Sequence, residues 1–102
     1  MIVLYTTVET PEQAKCLAKT LLAEHLIACA NMWAITSMYS LEENLTKSDE
    51  VAMYLKTSAA CGQALYKRLV EIHPYKTPAI FTIKIDHADP DFLQWIQTQT
   101  SC

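Results

Sequence analysis

The residues best suited to chemistry stand together at His73-Pro74-Tyr75-Lys76-Thr77-Pro78. An imidazole, a phenol and an ammonium fall close together, each beside a proline or one residue from it. A residue ahead of proline is driven out of the helical region, so His73 should close a helix and Thr77 should be extended. A histidine fixed at such a junction can ligate a metal or act as a general base, because it titrates near neutrality. The same hexapeptide also reads as a plain helix-to-strand connector, with a charged His73 favoured at a helix C-terminus by the dipole.

For a metal, His73 and Cys16 lead, ahead of Cys29, His25 and His87. Copper takes thiolate in the cuprous state and imidazole in the cupric state. No two of these residues have ligand spacing, so a site has to be assembled by the fold or between subunits. Asp86, His87, Asp89 and Asp91 either hold a hard cation weakly or dress a helix N-terminus with favourable charge. His25 reads as a solvated helix-end histidine and Cys29 as a core residue, while Cys16 falls at a polar helix position. For a small ligand the candidates are Lys56, Tyr75, Asn31, Tyr39 and Glu50. An unpaired lysine on an inward sheet face is costly, and Glu50, six residues away, is its nearest acid. Lys56 and Tyr75 then either recognise an anionic ligand in an inter-subunit cleft, or Lys56 forms a structural inter-subunit ion pair.

The chain has 102 residues, 51% of them apolar, which suits a single domain over residues 1–102 with a real core. Gly62 is the only glycine, so phosphate loops and dinucleotide fingerprints are excluded and no organic cofactor is expected. A formal charge of −3 gives no footprint for nucleic acid or for an anionic membrane. The start Met1-Ile2-Val3-Leu4-Tyr5 lacks a basic segment, and no apolar run approaches the ~18 residues of a membrane span. Cys16, Cys29, Cys61 and Cys102 form no CxxC pair, so reduced thiols in a cytoplasmic protein are expected.

The elements that position these residues follow from periodicity. Ile2 to Val8 reads as a buried strand. Thr10-Pro11-Glu12-Gln13 combines a cap, a first-turn proline and a capping box, and opens a helix to about Glu24 or His25. Ala28 to Tyr39 is a long strand, Leu41 to Lys47 a polar turn, and Glu50 to Thr57 the returning strand. Val51, Met53 and Leu55 share one of its faces; Ala52, Tyr54 and Lys56 share the other. Thr57 or Ser58 should cap a second helix carrying Cys61, Ala64, Leu65, Leu69 and Ile72, with Gly62 admitted by close packing. Ala79 to Ile85 is a fourth strand, and Asp89-Pro90 opens a short last helix before a frayed tail from Thr98 to Cys102.

The order β-α-β-β-α-β plus a helix predicts an α+β, ferredoxin-like sandwich. Its uncovered sheet face is expected to carry Ile80 and Thr82 with Ala52, Tyr54 and Lys56. Such a patch predicts a closed homo-oligomer with the sheets turned inward.

Ala28-Cys29-Ala30-Asn31, Tyr39, Lys56-Thr57, His73-Pro74-Tyr75, Pro78 and Trp95 together resemble the CutA divalent-cation tolerance family over essentially the whole chain. The resemblance implies a tight homotrimer built like the PII signalling proteins, a role in tolerance to divalent metals, copper binding, and no established catalysis. Where the family has Tyr-x-Trp-x-Gly, this chain reads Tyr39-Ser40-Leu41-Glu42-Glu43, which points to a longer or more mobile hairpin. Lys76 stands where the family commonly has glutamate, which removes a carboxylate beside His73. Three function classes follow: a trimer binding metal or a small anionic ligand without turnover, including a PII-like signalling module; a small trimeric enzyme with His73 as general base at an inter-subunit cleft; and an RNA-binding module. The last lacks the aromatic segments that stack bases.

Overall fold

The computed structural model describes residues 1–102. Strand β1 spans Ile2–Val8, helix α1 Pro11–Ala23, β2 Cys29–Leu41, β3 Asn44–Thr57, α2 Gly62–Ile72, β4 Ile80–Lys84 and α3 Pro90–Gln99, with a 3₁₀ turn at Ala59–Cys61. The sheet order is β2-β3-β1-β4 and every pairing is antiparallel. This is the predicted α+β architecture. Thr10 Oγ1 accepts the Gln13 N–H at 3.1 Å, and the Gln13 side chain accepts the Glu9 and Thr10 N–H groups, so the capping box forms. Asp89 caps α3 through the Phe92 N–H. His73 ends α2 in extended geometry, as its proline neighbour requires.

The core lies between the helices and one sheet face. Leu4 and Val8 of β1, Val51, Met53 and Leu55 of β3, Leu17 and Leu21 of α1, and Leu65 and Leu69 of α2 are buried there together. Burying each such side chain contributes about 1.5–3 kcal/mol. Gly62 packs closely: a Cβ at that position would lie 2.6 Å from Ile2 Cδ1, so the end of that side chain would have to shift.

Five expectations are corrected. Ile80 and Thr82 lie on the helix side, because Thr6 pairs with Ile80 and Leu4 with Thr82. The uncovered face of β4 carries Phe81 and Ile83 instead; β4 is apolar at both parities, so alternation gave it no phase. The hairpin is tight rather than long. The strands run to Leu41 and from Asn44, leaving only Glu42 and Glu43 in the turn, both at positive φ (51° and 68°). That is the backbone of a two-residue hairpin turn, formed here without glycine. Neither Thr57 nor Ser58 caps α2 with its side chain; the Thr57 hydroxyl donates to the Leu26 carbonyl at 2.7 Å. Cys61 and Cys102 are joined in a disulfide rather than reduced, which leaves Cys16 and Cys29 free. The tail is held rather than frayed: α3 continues to Gln99, Thr100 Oγ1 lies 3.0 Å from Ser58 Oγ, and the Ser101 N–H donates to the His25 carbonyl.

Candidate functional site

The chemistry-bearing residues gather where β1 ends and β3 begins to pair with it. Thr6 and Thr7 are consecutive, so their side chains leave opposite faces of the sheet. Thr6 points to the helix side and meets His73, whose Nε2 lies 2.9 Å from Thr6 Oγ1 and 3.0 Å from the Thr7 carbonyl oxygen. A carbonyl can only accept, so Nε2 carries the proton. Nδ1 accepts the Tyr75 N–H at 3.0 Å. Both ring nitrogens are therefore committed, and the ring is buried. Burial lowers the His73 pKa from its ordinary value, partly offset by the bond to the Thr7 carbonyl. In this arrangement His73 is a neutral brace between the second helix and the first strand. It presents no free lone pair for a metal or for proton abstraction.

The brace sets the next residue of interest. With His73 and its backbone N–H fixed, Tyr75 reaches across to the outer sheet face, where its hydroxyl donates to Glu50 Oε2 at 2.8 Å. Burial acts to raise the Glu50 pKa, but the hydroxyls of Ser37, Tyr75 and Thr7 outweigh it and hold the carboxyl below its ordinary value. Burial, the bond to Glu50, and the nearby Glu50, Glu9 and Tyr39 all push the Tyr75 phenol upward. The result is a half-buried carboxylate, ionised at neutral pH, hydrogen-bonded by the Tyr75 hydroxyl with the Ser37 and Thr7 hydroxyls nearby. No lysine, arginine or histidine forms an ion pair with it; the two salt bridges of the chain join Arg68 to Glu24 and Glu71.

Lys56 lies elsewhere. It pairs with Val3 and Cys29, six residues along β3 from Glu50, about 20 Å at strand spacing. Its ammonium sits 5.7 Å from the centre of the Phe92 ring of α3, a cation–π contact. Within one chain Lys56 and Tyr75 therefore do not share a site. Asn31 and Tyr39 both lie on the outer face of β2, opposite Tyr54 and Thr46, and both are exposed. Cys16 is exposed on α1 between Lys15 and Lys19, and Cys29 is half-exposed on the outer face rather than in the core. His87 is exposed beside Asp89, which is occupied as a helix cap. No three His, Cys, Asp or Glu side chains converge in one chain as a metal site.

Between the two ends of the outer face runs an aromatic floor that sequence reading touched only at Tyr54. Trp33 meets Tyr54 edge-on at 4.9 Å, and Tyr5 stacks on Phe81 at 4.8 Å. Trp33, Tyr54 and Phe81 remain 41%, 37% and 52% exposed. The signal was present in the two-residue alternation of β1 and β2, but it acquires meaning only once the register aligns Tyr5 with Tyr54 and Phe81.

An open antiparallel sheet with this element order has many relatives, and sequence similarity decides among them. The model of the CutA1 divalent ion tolerance protein family matches residues 2–99. The chain belongs to the CutA1 family. It is 40% identical to the divalent-cation tolerance protein CutA of Pyrococcus horikoshii over 98% of each chain, and 35% identical to that of Thermotoga maritima over 95% of this chain and 96% of the other. The crystal structure of CutA1 from Pyrococcus horikoshii superposes with a TM-score of 0.96 at 38% identity, covering 100% of each chain. A CutA from Archaeoglobus fulgidus, described as a periplasmic divalent cation tolerance protein, superposes at 0.91 with 32% identity over 97% of this chain and 98% of the other. These relatives are named for tolerance and not for a reaction. No helix here is long and apolar enough to cross a membrane.

Proposed function

We propose that this CutA1-family chain acts in divalent-cation tolerance as a homotrimer, without turnover, and that the Glu50–Tyr75 cluster is its ligand site. The observation that carries the ligand assignment is the Glu50 carboxylate: half-buried, held ionised by neighbouring hydroxyls, and without a cationic partner. A fixed anion with Glu9 nearby favours a cation over an anionic metabolite. Oxygen donors suit hard or borderline divalent ions, copper in its cupric state among them. The cation is cargo here, not a resident cofactor, and a neighbouring copy would complete the donor set that one chain leaves short. The exposed aromatic floor supports self-association, since large uncovered aromatic patches mark interfaces. The enzyme reading loses support because the His73 lone pair is occupied. A cytoplasmic location is part of the proposal and is tested by cell fractionation, the Archaeoglobus relative being described as periplasmic.

Isothermal titration with Cu²⁺, Zn²⁺ and Mg²⁺, with the mass followed by light scattering, tests this reading. Wild type should run as a trimer at micromolar concentration and bind one of the ions at fixed stoichiometry. Glu50→Gln should keep the mass and weaken binding about tenfold or more, which is ~1.4 kcal/mol. A micromolar monomer would overturn the assembly, and unchanged affinity in Glu50→Gln would overturn the site.

A further inference from the structure

The fold uses two of its four cysteines in a way that cation tolerance does not explain. Cys61 lies in the 3₁₀ turn between β3 and α2 and is 1% exposed. Its partner Cys102, three residues beyond α3, is exposed. Their Cα atoms are 5.3 Å apart, and the bond joins segments 41 residues distant in sequence.

We propose that Cys61–Cys102 is a reversible thiol–disulfide clasp, which dithiol reductants open from the Cys102 side while the domain stays folded. Three features support this. The first is the asymmetry of access. Cys102 is an exposed residue and Cys61 a buried one, so a thiolate arriving from solvent reaches the Cys102 side first, and access is one of the determinants of exchange. The second is the leaving group. Cys61 immediately precedes α2, so negative charge released there sits at the N-terminal end of an eleven-residue helix, where the dipole offsets part of the cost of burying a thiolate until it takes a proton. The third is mechanical independence. The central twelve-residue cluster contains neither Cys61 nor any residue of α3; Cys61 and Ile96 of α3 are buried beside it, outside that cluster. Apart from the disulfide, the segment after α3 is tied back by the Thr100–Ser58 hydroxyl contact and the Ser101–His25 backbone bond. A cavity of about 340 Å³, with Ser58, Ala59, Leu93, Ile96, Thr100 and Cys102 in its wall, adjoins the clasp.

The exchange balances with a dithiol as the reductant. One thiolate of the dithiol attacks Cys102 Sγ, the Cys102–Cys61 bond breaks, and Cys61 leaves as a thiolate that takes a proton. The second thiol of the dithiol then attacks its own sulfur in the mixed disulfide and releases Cys102. The dithiol is oxidised to its cyclic or paired disulfide by two electrons, and the protein gains two thiols.

The test combines iodoacetamide labelling, read by peptide mass, with hydrogen exchange, all without denaturant. Untreated protein should label at Cys16, which is exposed and free, and at neither Cys61 nor Cys102. In dithiothreitol, Cys102 should label about tenfold or more faster than Cys61, following access. The Ser101 amide should lose protection while the amides of β1 and β3 keep theirs. Cys102→Ser should show the same exchange at Ser101 as reduced wild type and no further response to dithiothreitol. Oxidised glutathione should restore the protected state in wild type. A disulfide that resists dithiothreitol until denaturant is added, loss of sheet protection on reduction, or two free thiols that oxidised glutathione does not join would each overturn the clasp.

Discussion

The two faces of the sheet are built from different residues along the same strands. On the helix side of β3, Val51, Met53 and Leu55 are closed off by α1 and α2; on the other side, Tyr54 is 37% exposed between Tyr5 and Trp33. The helix-side face is mainly aliphatic and sealed; the other is richer in aromatics and more open, with Val3 and Ala52 its buried aliphatic members. Aliphatic side chains have no polar atom and gain only when water is fully excluded. A tyrosine or tryptophan has a polar handle and tolerates partial exposure, which suits a surface that is closed by a partner. Under the proposed self-association, the choice of side chain separates burial completed within one chain from burial completed by another copy.

That distinction is most sharply tested by a pair of truncations. Leu55→Ala should cost about 2–5 kcal/mol of folding stability, the usual range for a buried leucine. The loss should appear in urea unfolding at every protein concentration. Trp33→Ala should leave the isolated chain close to wild type and shift the mass toward monomer in light scattering. Its stability loss should grow as the protein is diluted, because assembly stabilises by mass action. If Trp33→Ala destabilises equally at all concentrations, the aromatic floor belongs to the chain's own core and the contrast between the faces collapses.

Beyond Val51 the contrast disappears. The hairpin formed by the ends of β2 and β3 carries Met38, Leu41 and Leu45 at 63%, 57% and 77% exposure, with side chains on both faces. Its turn places Glu42 and Glu43 in the left-handed region. That conformation costs an L-residue about 1–2 kcal/mol, and glycine or asparagine relieves it. The double substitution Glu42→Asn with Glu43→Gly should therefore raise the urea midpoint by the equivalent of about 1–2 kcal/mol. No gain would mean that the two glutamates are held by something other than the turn they form.

Much of this arrangement is legible in the amino-acid sequence alone. The capping box at Thr10–Gln13, the proline-bracketed end of α2 at His73 and the inward trio Val51, Met53 and Leu55 are local patterns, and local patterns survive folding. Three things were not legible, each for a long-range reason. The phase of β4 depends on its register with β1, since Ile80, Phe81 and Ile83 are apolar at either parity. The Cys61–Cys102 bond joins positions whose spacing carries no motif. The partner of Tyr75 is Glu50, 25 positions away, and only the sheet register brings it there. Glu50 is the acid nearest to Lys56 in sequence, and six residues of extended chain keep the two apart.

Thr6 and Thr7 let the two faces be read separately by pH. Thr6 contacts His73 on the sealed side, while Thr7 stands beside Glu50 on the open side. Both groups have folded-state pKa values below their ordinary ones, 6.5 for the histidine and 4.5 for the glutamate. For His73 the unfolded chain binds the extra proton first, so stability falls as pH drops below about 6.5 and levels off below the folded pKa. For Glu50 the stabilising contribution is full above about 4.5 and is lost as pH falls toward its folded pKa. Urea midpoints measured from pH 8 downward should show two separate declines. His73→Gln should flatten the upper one and leave the lower. Glu50→Gln should reduce the lower one only in part, because Glu24, exposed beside Arg68, titrates in the same direction there. An upper decline that persists in His73→Gln would mean that the buried imidazole is not what acid attacks first. The sealed face would then have to lose stability to acid through a group other than the brace.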